Sequence, residues 1–265
     1  RLMFRSNPLF ILITLVIATF LGFFLLTLRP EFETARWIFT YLPYDVIHKM
    51  GLIIFGLTGL SVIAGVVTMA VRMSRNHSSE NKKKESVFKS LSMVLSELGT
   101  LKRYQDCDQE DDSYWKGKSF WLQPWFVHWT IMWGFIGLLV ATTLDFILKD
   151  PATTIWWPSR ILGTLAGLLM IYGTTQAIRY RLAKVTKTYG ETTLADWTFL
   201  GFLWIAGITG FWLEIAVAFG SNNLLNHGMF LLHTVISMEL VLLFAFSKFA
   251  HAFYRPLALF FHFRG

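Results

Sequence analysis

Cysteine is almost absent from this sequence of 265 residues, which contains only Cys107. A single thiol excludes a disulfide framework within the chain. It also excludes an iron–sulfur cluster held by this chain alone, because such clusters need several thiolates. The chain begins with Arg1 rather than Met, so we expect further sequence upstream of it.

Charge is also scarce, since charged residues make up 15% of the sequence and hydrophobic residues 54%. This balance is too apolar for a soluble domain of this length, and long uncharged runs are typical of membrane spans. The 25 Phe and 11 Trp fit rings that pack in lipid or lie at its boundary. The net charge of +7 fits basic cytoplasmic loops, so we expect no nucleic-acid partner.

Six apolar segments are long enough to cross a bilayer, which requires roughly 20 residues. The predicted spans comprise residues 9–28, 46–71, 125–148, 161–178, 197–219 and 229–254. The sequence therefore predicts an all-α fold, a polytopic transmembrane bundle of six spans. We expect this multi-pass protein, with lipid around it, in the inner (cytoplasmic) membrane of the cell.

The distribution of Lys and Arg predicts the orientation of the spans. Ten of these residues lie between spans two and three and four lie between spans four and five, whereas the connection between spans five and six has none. The basic connections all fall on one side, together with both termini. Both termini are therefore predicted to be cytoplasmic.

The predicted organisation has three parts. Residues 1–72 hold two membrane helices, 73–120 form a cytoplasmic loop, and 121–265 form a membrane core of four helices. Within the loop, apolar residues recur at helical spacing from Val87 to Leu98 and predict an amphipathic helix that ends near Gly99. This helix lies on the membrane surface or forms a docking site for a soluble partner; the sequence leaves both interpretations open.

Four histidines are candidate cofactor ligands, because they fall near the ends of predicted spans. An imidazole inside lipid is costly unless it has a partner, and haem iron is one such partner. His233 and His251 lie 18 residues apart in the sixth predicted span, which is five turns of one helix. On such a helix both rings leave the same face, about 27 Å apart.

Topology predicts a second ligand at each depth. His128 opens the third span on the cytoplasmic side, where it can pair with His251. His48 opens the second span on the outer side, where it can pair with His233; His227 is an alternative to His48. These pairs predict two b haems stacked across the membrane, with one haem as the minimum.

The last predicted span, with the sequence LLHTVISMELVLLFAFSKFAH, resembles the final haem-binding helix of nitrate reductase gamma subunits. Its shared elements are His233, the run Phe246-Ser247-Lys248, and His251. The same cytochrome b superfamily includes membrane subunits of heterodisulfide reductase-type complexes. The resemblance covers about residues 124–255 and implies a helical bundle that holds b haems between a quinone site and an iron–sulfur partner.

One departure from this family concerns the third span. The gamma subunits carry two histidines there, whereas this chain has His128 at the first position and Leu138 at the second. Either His48 supplies the missing outer ligand, or only one haem is bound. The additional first span also departs from the five-span plan of that family.

The resemblance implies that a membrane quinone, menaquinone or ubiquinone, is the substrate. Protonatable side chains near a haem serve quinone chemistry. The candidates at the outer side or within the membrane are Asp145, Lys149, Glu214 and Glu239, with Lys49 beside them.

We expect an iron–sulfur redox subunit or domain to dock on the cytoplasmic side, and the direction of electron flow stays open. The chain is thus predicted to be the haem-carrying membrane subunit of a quinone-linked oxidoreductase of a respiratory chain. Two alternatives remain: a transporter or proton channel built on Glu239 and the histidines, or a membrane anchor without a cofactor.

Overall fold

The computed structural model of the chain describes residues 8–28, 37–77, 85–101, 112–148, 158–220, 222–245 and 248–264. This part of the chain is helical and contains no strand. Its long helices are α1 (Pro8–Leu28), α2 (Tyr44–His77), α3 (Val87–Thr100), α4 (Pro124–Leu148), α5 (Pro158–Leu182), α6 (Leu194–Ala218), α7 (Leu224–Leu242) and α8 (His251–Arg264). Short helical turns lie at Trp37–Phe39, Asp112–Trp115, Phe120–Leu122, Lys187–Gly190 and Lys248–Ala250.

Five helices are long and apolar enough to cross a membrane, which supports the predicted transmembrane character. They comprise Tyr44–Arg75, Pro124–Leu148, Pro158–Leu182, Leu194–Ala218 and Leu224–Leu242. The predicted first span coincides with the 21-residue helix α1. Its role as a sixth span, and the cytoplasmic position of the termini, stay predictions.

Local sequence explains where several helices begin and end. Pro124 and Pro158 occupy the first helical position, where a missing N–H costs nothing. Thr193 and Asp196 form a capping box at the start of α6, and the Ser86 side chain accepts a hydrogen bond from the Lys89 N–H at the start of α3. The predicted amphipathic helix is confirmed as α3.

The described residues group into two compact units that differ from the predicted three-part division, which itself stays a prediction. Unit A comprises Ser6–Ile53 and Ser113–Leu240. Unit B comprises Ile54–Asp112 and Val241–Gly265.

The centre of unit A is a close pair of helices, α4 and α5, joined through glycines. A methyl group on Gly134 would lie 2.6 Å from the Met170 backbone nitrogen and 2.8 Å from the Ala166 carbonyl oxygen. Gly173 of α5 faces Thr130 and Val127 of α4 in the same way. Small residues allow this approach of two backbones, as is typical of helix pairs in membranes.

Helices α1 and α7 run antiparallel within unit A. Thr14 of α1 donates a hydrogen bond to Glu239 of α7 over 2.8 Å, and Gly22 packs against Leu231. From Thr14 to Gly22 the chain of α1 advances by eight residues, while the contacted residues of α7 go back by eight, from Glu239 to Leu231. The two helices therefore lie side by side over this length and run in opposite directions.

Unit B joins the second half of α2 to α3 and α8. Gly65 of α2 lies against the hydroxyl of Tyr254 in α8, and Thr58 donates a hydrogen bond to the Val241 carbonyl over 3.0 Å. Helix α8 also packs along α3, and the Glu85 N–H donates to the Arg264 carbonyl over 3.0 Å. Both α3 and α8 are therefore held on a helix that is apolar enough to span a membrane.

The sixth predicted span, 229–254, is not one helix, so the prediction of a continuous helix from His233 to His251 is wrong. Helix α7 ends at Leu242, and His251 begins α8. The physical reason is a fold-back of apolar residues, because Phe244 packs against Phe249 and Phe253 with ring centroids about 5 Å apart. The five-turn relation between the two histidines is therefore lost.

We predict that Gly134→Ala destabilises the protein by about 1–3 kcal/mol, because the added methyl meets backbone atoms that cannot move alone. Thermal unfolding in detergent, followed by circular dichroism, measures this as a lower midpoint. Gly201→Ala in α6 is the matched control, since nothing lies within 4 Å of its added methyl. Equal midpoints for the two variants would contradict the close α4–α5 contact.

Candidate functional site

His233 lies in the interior of unit A, on the side of α7 that faces α6. Its Nδ1 is 3.0 Å from the hydroxyl oxygen of Thr209. A methyl group on Gly210, the next residue of α6, would lie 3.1 Å from the Cε1 of this ring. The lack of a side chain at Gly210 therefore makes room for the imidazole.

The Thr209 hydroxyl lies between its own helix and the His233 ring. Its oxygen is 2.8 Å from the Ile205 carbonyl oxygen and 3.0 Å from Nδ1, so a hydroxyl that donates to Ile205 accepts from Nδ1–H. A neutral imidazole with its proton on Nδ1 carries the free lone pair on Nε2. This is the state in which histidine ligates a metal, with the second nitrogen fixed by a hydrogen bond.

The depth of His233 differs from the prediction. Helix α7 begins at Leu224, five residues before the predicted start, so His233 is the tenth of its 19 residues. It lies at the middle of the helix rather than near the outer end.

Contacts across unit A relate this level to α4. Two residues before Thr209, Gly207 packs against Met170 of α5, whose backbone lies against Gly134 of α4. His233 is therefore level with the middle of α4, near Gly134.

His48 lies beside the C-terminal end of α4 in the same unit. Its ring stacks on Phe146 of α4, with centroids 3.8 Å apart and planes at 3°. Phe146 follows Gly134 by 12 residues, or about 18 Å along the helix. The structure thus does not bring His48 and His233 to one level, and their predicted pairing on one iron stays a prediction.

The alternative outer ligand, His227, is a packed residue. It is buried between the edges of Trp37 and Tyr41, and its Nε2 lies 2.9 Å from the side-chain oxygen of Asn222. The Nε2 of His227 is therefore already used in a hydrogen bond.

The predicted inner ligands belong to different units. His128 is half-buried in the second turn of α4, within unit A, whereas His251 is exposed at the first residue of α8, within unit B. Their pairing stays a prediction. Among the described residues, no group of three or more His, Cys, Asp or Glu could hold a metal ion. A haem iron takes at most two axial ligands from the protein, so a haem site does not require such a group of three.

Two of the predicted carboxyl groups lie near the C-terminal ends of their helices. Glu214 accepts a hydrogen bond from the Thr164 hydroxyl over 2.6 Å, and Asp145 accepts one from the Ser159 hydroxyl over 3.4 Å. Each contact joins α5 to a neighbouring helix of unit A. Hydroxyl partners of this kind hold carboxyl groups inside a bundle at reduced cost.

The other quinone-site candidates are placed differently. Glu239 lies in the last turn of α7, at the end opposite Glu214, and not deep within a long span. Lys49 forms an exposed ion pair with Asp45 over 2.6 Å. Lys149 lies outside the described residues.

Thr209, Gly210 and Thr164 are site residues that the sequence alone did not predict. Each lies on a helix other than that of its partner, so the signal depends on how the helices are rotated against each other. A threonine inside an apolar span is a weak signal, because its hydroxyl can bond to its own helix. No known protein family, curated protein or solved structure matches the chain.

Proposed function

We propose that the chain is the haem b-containing membrane subunit of a respiratory electron-transfer complex. It passes electrons between a membrane quinone pool and a cytoplasmic iron–sulfur partner. The observation that carries this proposal is His233, an imidazole in the middle of α7 whose Nδ1 lies 3.0 Å from the Thr209 hydroxyl oxygen. In the tautomer that carries its proton on Nδ1, the lone pair for a metal is on Nε2.

The surroundings of His233 fit an axial haem ligand better than a packing histidine. A packing histidine inside a membrane bundle is expected to use both ring nitrogens, because an unpaired polar atom there is costly. His227, six residues before His233 in the same helix, is packed against the Tyr41 ring and has its Nε2 within 2.9 Å of the Asn222 side-chain oxygen. A bound haem supplies one-electron transfer, while this chain's Thr209 orients the imidazole and Gly210 leaves space for it.

The topology of α1 supports six spans. If α7 crosses the membrane, α1 runs alongside it in the opposite direction, as the contacts at Thr14 and Gly22 require. With basic connections on the cytoplasmic side, the amino terminus of α1 is cytoplasmic and Glu214 lies toward the outer surface. Asp145 and Glu214 then lie near the outer surface, where the proposed quinone site exchanges protons.

The second proposed haem is ligated by His128 and His251. His48 stays the proposed outer ligand, and its pairing with His233 would require the two rings, now at different levels, to come together. An iron–sulfur protein docks on the cytoplasmic side, near the basic connection between α2 and α4. The likeness of residues 124–255 to nitrate reductase gamma subunits supports this order of carriers.

A proton channel is the second candidate, because Glu214 and Glu239 lie near opposite ends of unit A with His233 between them. An anchor without a cofactor is the third. The visible spectrum separates these functions, since only the first requires a porphyrin.

The deciding experiment measures the reduced-minus-oxidised spectrum and the haem content of the native protein. We expect a b-type signal and one or two haems per polypeptide. A colourless pure protein would exclude the proposal. The same measurement on His48→Ala tests the outer ligand, because native haem content in that variant would show that His48 does not ligate.

A further inference from the structure

Helix α3 has an apolar face that the described part of the protein leaves open. Phe88 is 83% exposed and Leu95 is 60% exposed, and Val87 and Leu91 are exposed beside them. At 100° per residue these four side chains share one side of the helix. Such a row on a helix is expected to be covered by something apolar.

The contact with α8 uses a different side of α3. Ser90, Val94 and Glu97 are the buried residues of this helix, and they lie on the side adjacent to the open face. The side chains of Lys89, Ser92 and Ser96 are exposed on the third side. Packing inside the protein therefore fixes the rotation of α3 while its apolar row stays uncovered.

The attachment of α3 points to a bilayer as the occupant. Helix α3 packs on α8, whose Tyr254 lies against Gly65 of the membrane-spanning helix α2. Helix α8 also follows the end of the span α7 after only eight residues. The contact at Gly65 therefore holds the α3–α8 pair beside the second half of a helix that is long and apolar enough to span a membrane.

Charge in unit B complements anionic lipid headgroups. Arg72 and Arg75 are exposed at the end of α2, and Lys89 is exposed on the polar side of α3, where it forms an ion pair with Glu85. An apolar row on one side of a helix, with basic residues on its polar side, is typical of helices that lie in the interface of a membrane with anionic lipids.

We propose that α3 lies in the cytoplasmic surface of the bilayer, with Phe88, Leu91 and Leu95 inserted among the acyl chains. The α3–α8 pair is thus a lipid-binding surface rather than a docking site for a soluble protein. This inference does not depend on haem, so its test is independent of the visible spectrum of the protein.

The single cysteine makes a direct test possible. In a Cys107→Ser background, the variants Phe88→Cys, Leu95→Cys and Ser96→Cys each receive one nitroxide label. The labelled full chain is reconstituted in vesicles of phosphatidylcholine mixed with anionic phosphatidylglycerol. Electron paramagnetic resonance then compares collisions of each nitroxide with oxygen, which concentrates in lipid, and with a water-soluble nickel chelate.

We expect the oxygen-to-nickel ratio at positions 88 and 95 to be several-fold larger than at position 96, which is the matched control on the polar side. Circular dichroism of each variant verifies that the helices are retained. High nickel access at all three positions would overturn the proposal, because the helix would then lie in water. Low access of both reagents at 88 and 95 would also overturn it, and would indicate a second copy or another protein on this face.

Discussion

Replacing His233 by alanine is expected to remove one b haem per polypeptide from the purified protein. The reason is that the lone pair on Nε2 is the ligand that the geometry of unit A supports best. Alanine is compatible with the helix, so we expect the helix content of the variant to be unchanged and its unfolding midpoint to change little, while its haem content falls. Pyridine haemochrome absorbance and protein concentration together give the haem-to-polypeptide ratio.

Two threonine variants of α6 separate a ligand from a merely packed ring. Thr209→Val removes the hydroxyl that orients His233 and is expected to weaken haem binding about 10–100-fold. Thr198→Val is the matched control, because the Thr198 hydroxyl bonds only to the Leu194 carbonyl of its own helix. Native haem content in His233→Ala would rule out His233 as a ligand, even if the other haem remained.

The second large effect concerns Glu214. We expect Glu214→Gln to slow electron exchange with a quinol or quinone analogue by about 10²–10⁴-fold, because an amide cannot accept or release the proton. The amide still accepts the hydrogen bond from Thr164, so the helix contact is retained. Stopped-flow spectroscopy of haem reduction by quinol, and of haem reoxidation by quinone, measures the rate in both directions.

Glu239→Gln is the matched control for this experiment. Glu239 is also a carboxyl group held by a threonine hydroxyl, but it lies at the opposite end of α7. A quinone site near the outer surface leaves the rate of this variant unchanged. If Glu239→Gln slowed the reaction and Glu214→Gln did not, the quinone site would lie on the other side of the membrane.

The helices themselves could be predicted well from hydropathy. Predicted spans two to five coincide with α2, α4, α5 and α6 to within a few residues, because each lies between charged or proline-containing connections. The amphipathic helix α3 was found for the same kind of reason. Its apolar positions recur at helical spacing, and Ser86 supplies a cap.

The end of α7 could not be predicted in this way. The residues that follow Leu242 are as apolar as those inside the span, so hydropathy continues across the break. What ends the helix is a tertiary contact, in which Phe244 packs back onto Phe249 and Phe253. The 18 residues between His233 and His251 correspond to five helical turns, but this spacing is no evidence that the backbone between them is one helix.

The candidate site was predicted in part. His233 was named as a ligand, but its partners Thr209 and Gly210 depend on the rotation of α6 against α7, about which one sequence carries little information. The depth of His233 was misplaced, because the helix begins at Leu224. Glu214 was a candidate, but its hydroxyl partner lies 50 residues away in the sequence.

The glycine contacts of α4 and α5 also restrict where any flat cofactor can be accommodated. Gly134, Gly137 and Gly173 bring the two backbones so close that even one methyl group is too large for the gap. A porphyrin edge therefore has no entry between these two helices. Helices α6 and α7 are joined instead through a side-chain hydrogen bond from Trp212 to Asn226. Any flat cofactor inside unit A must therefore lie outside the contact between α4 and α5.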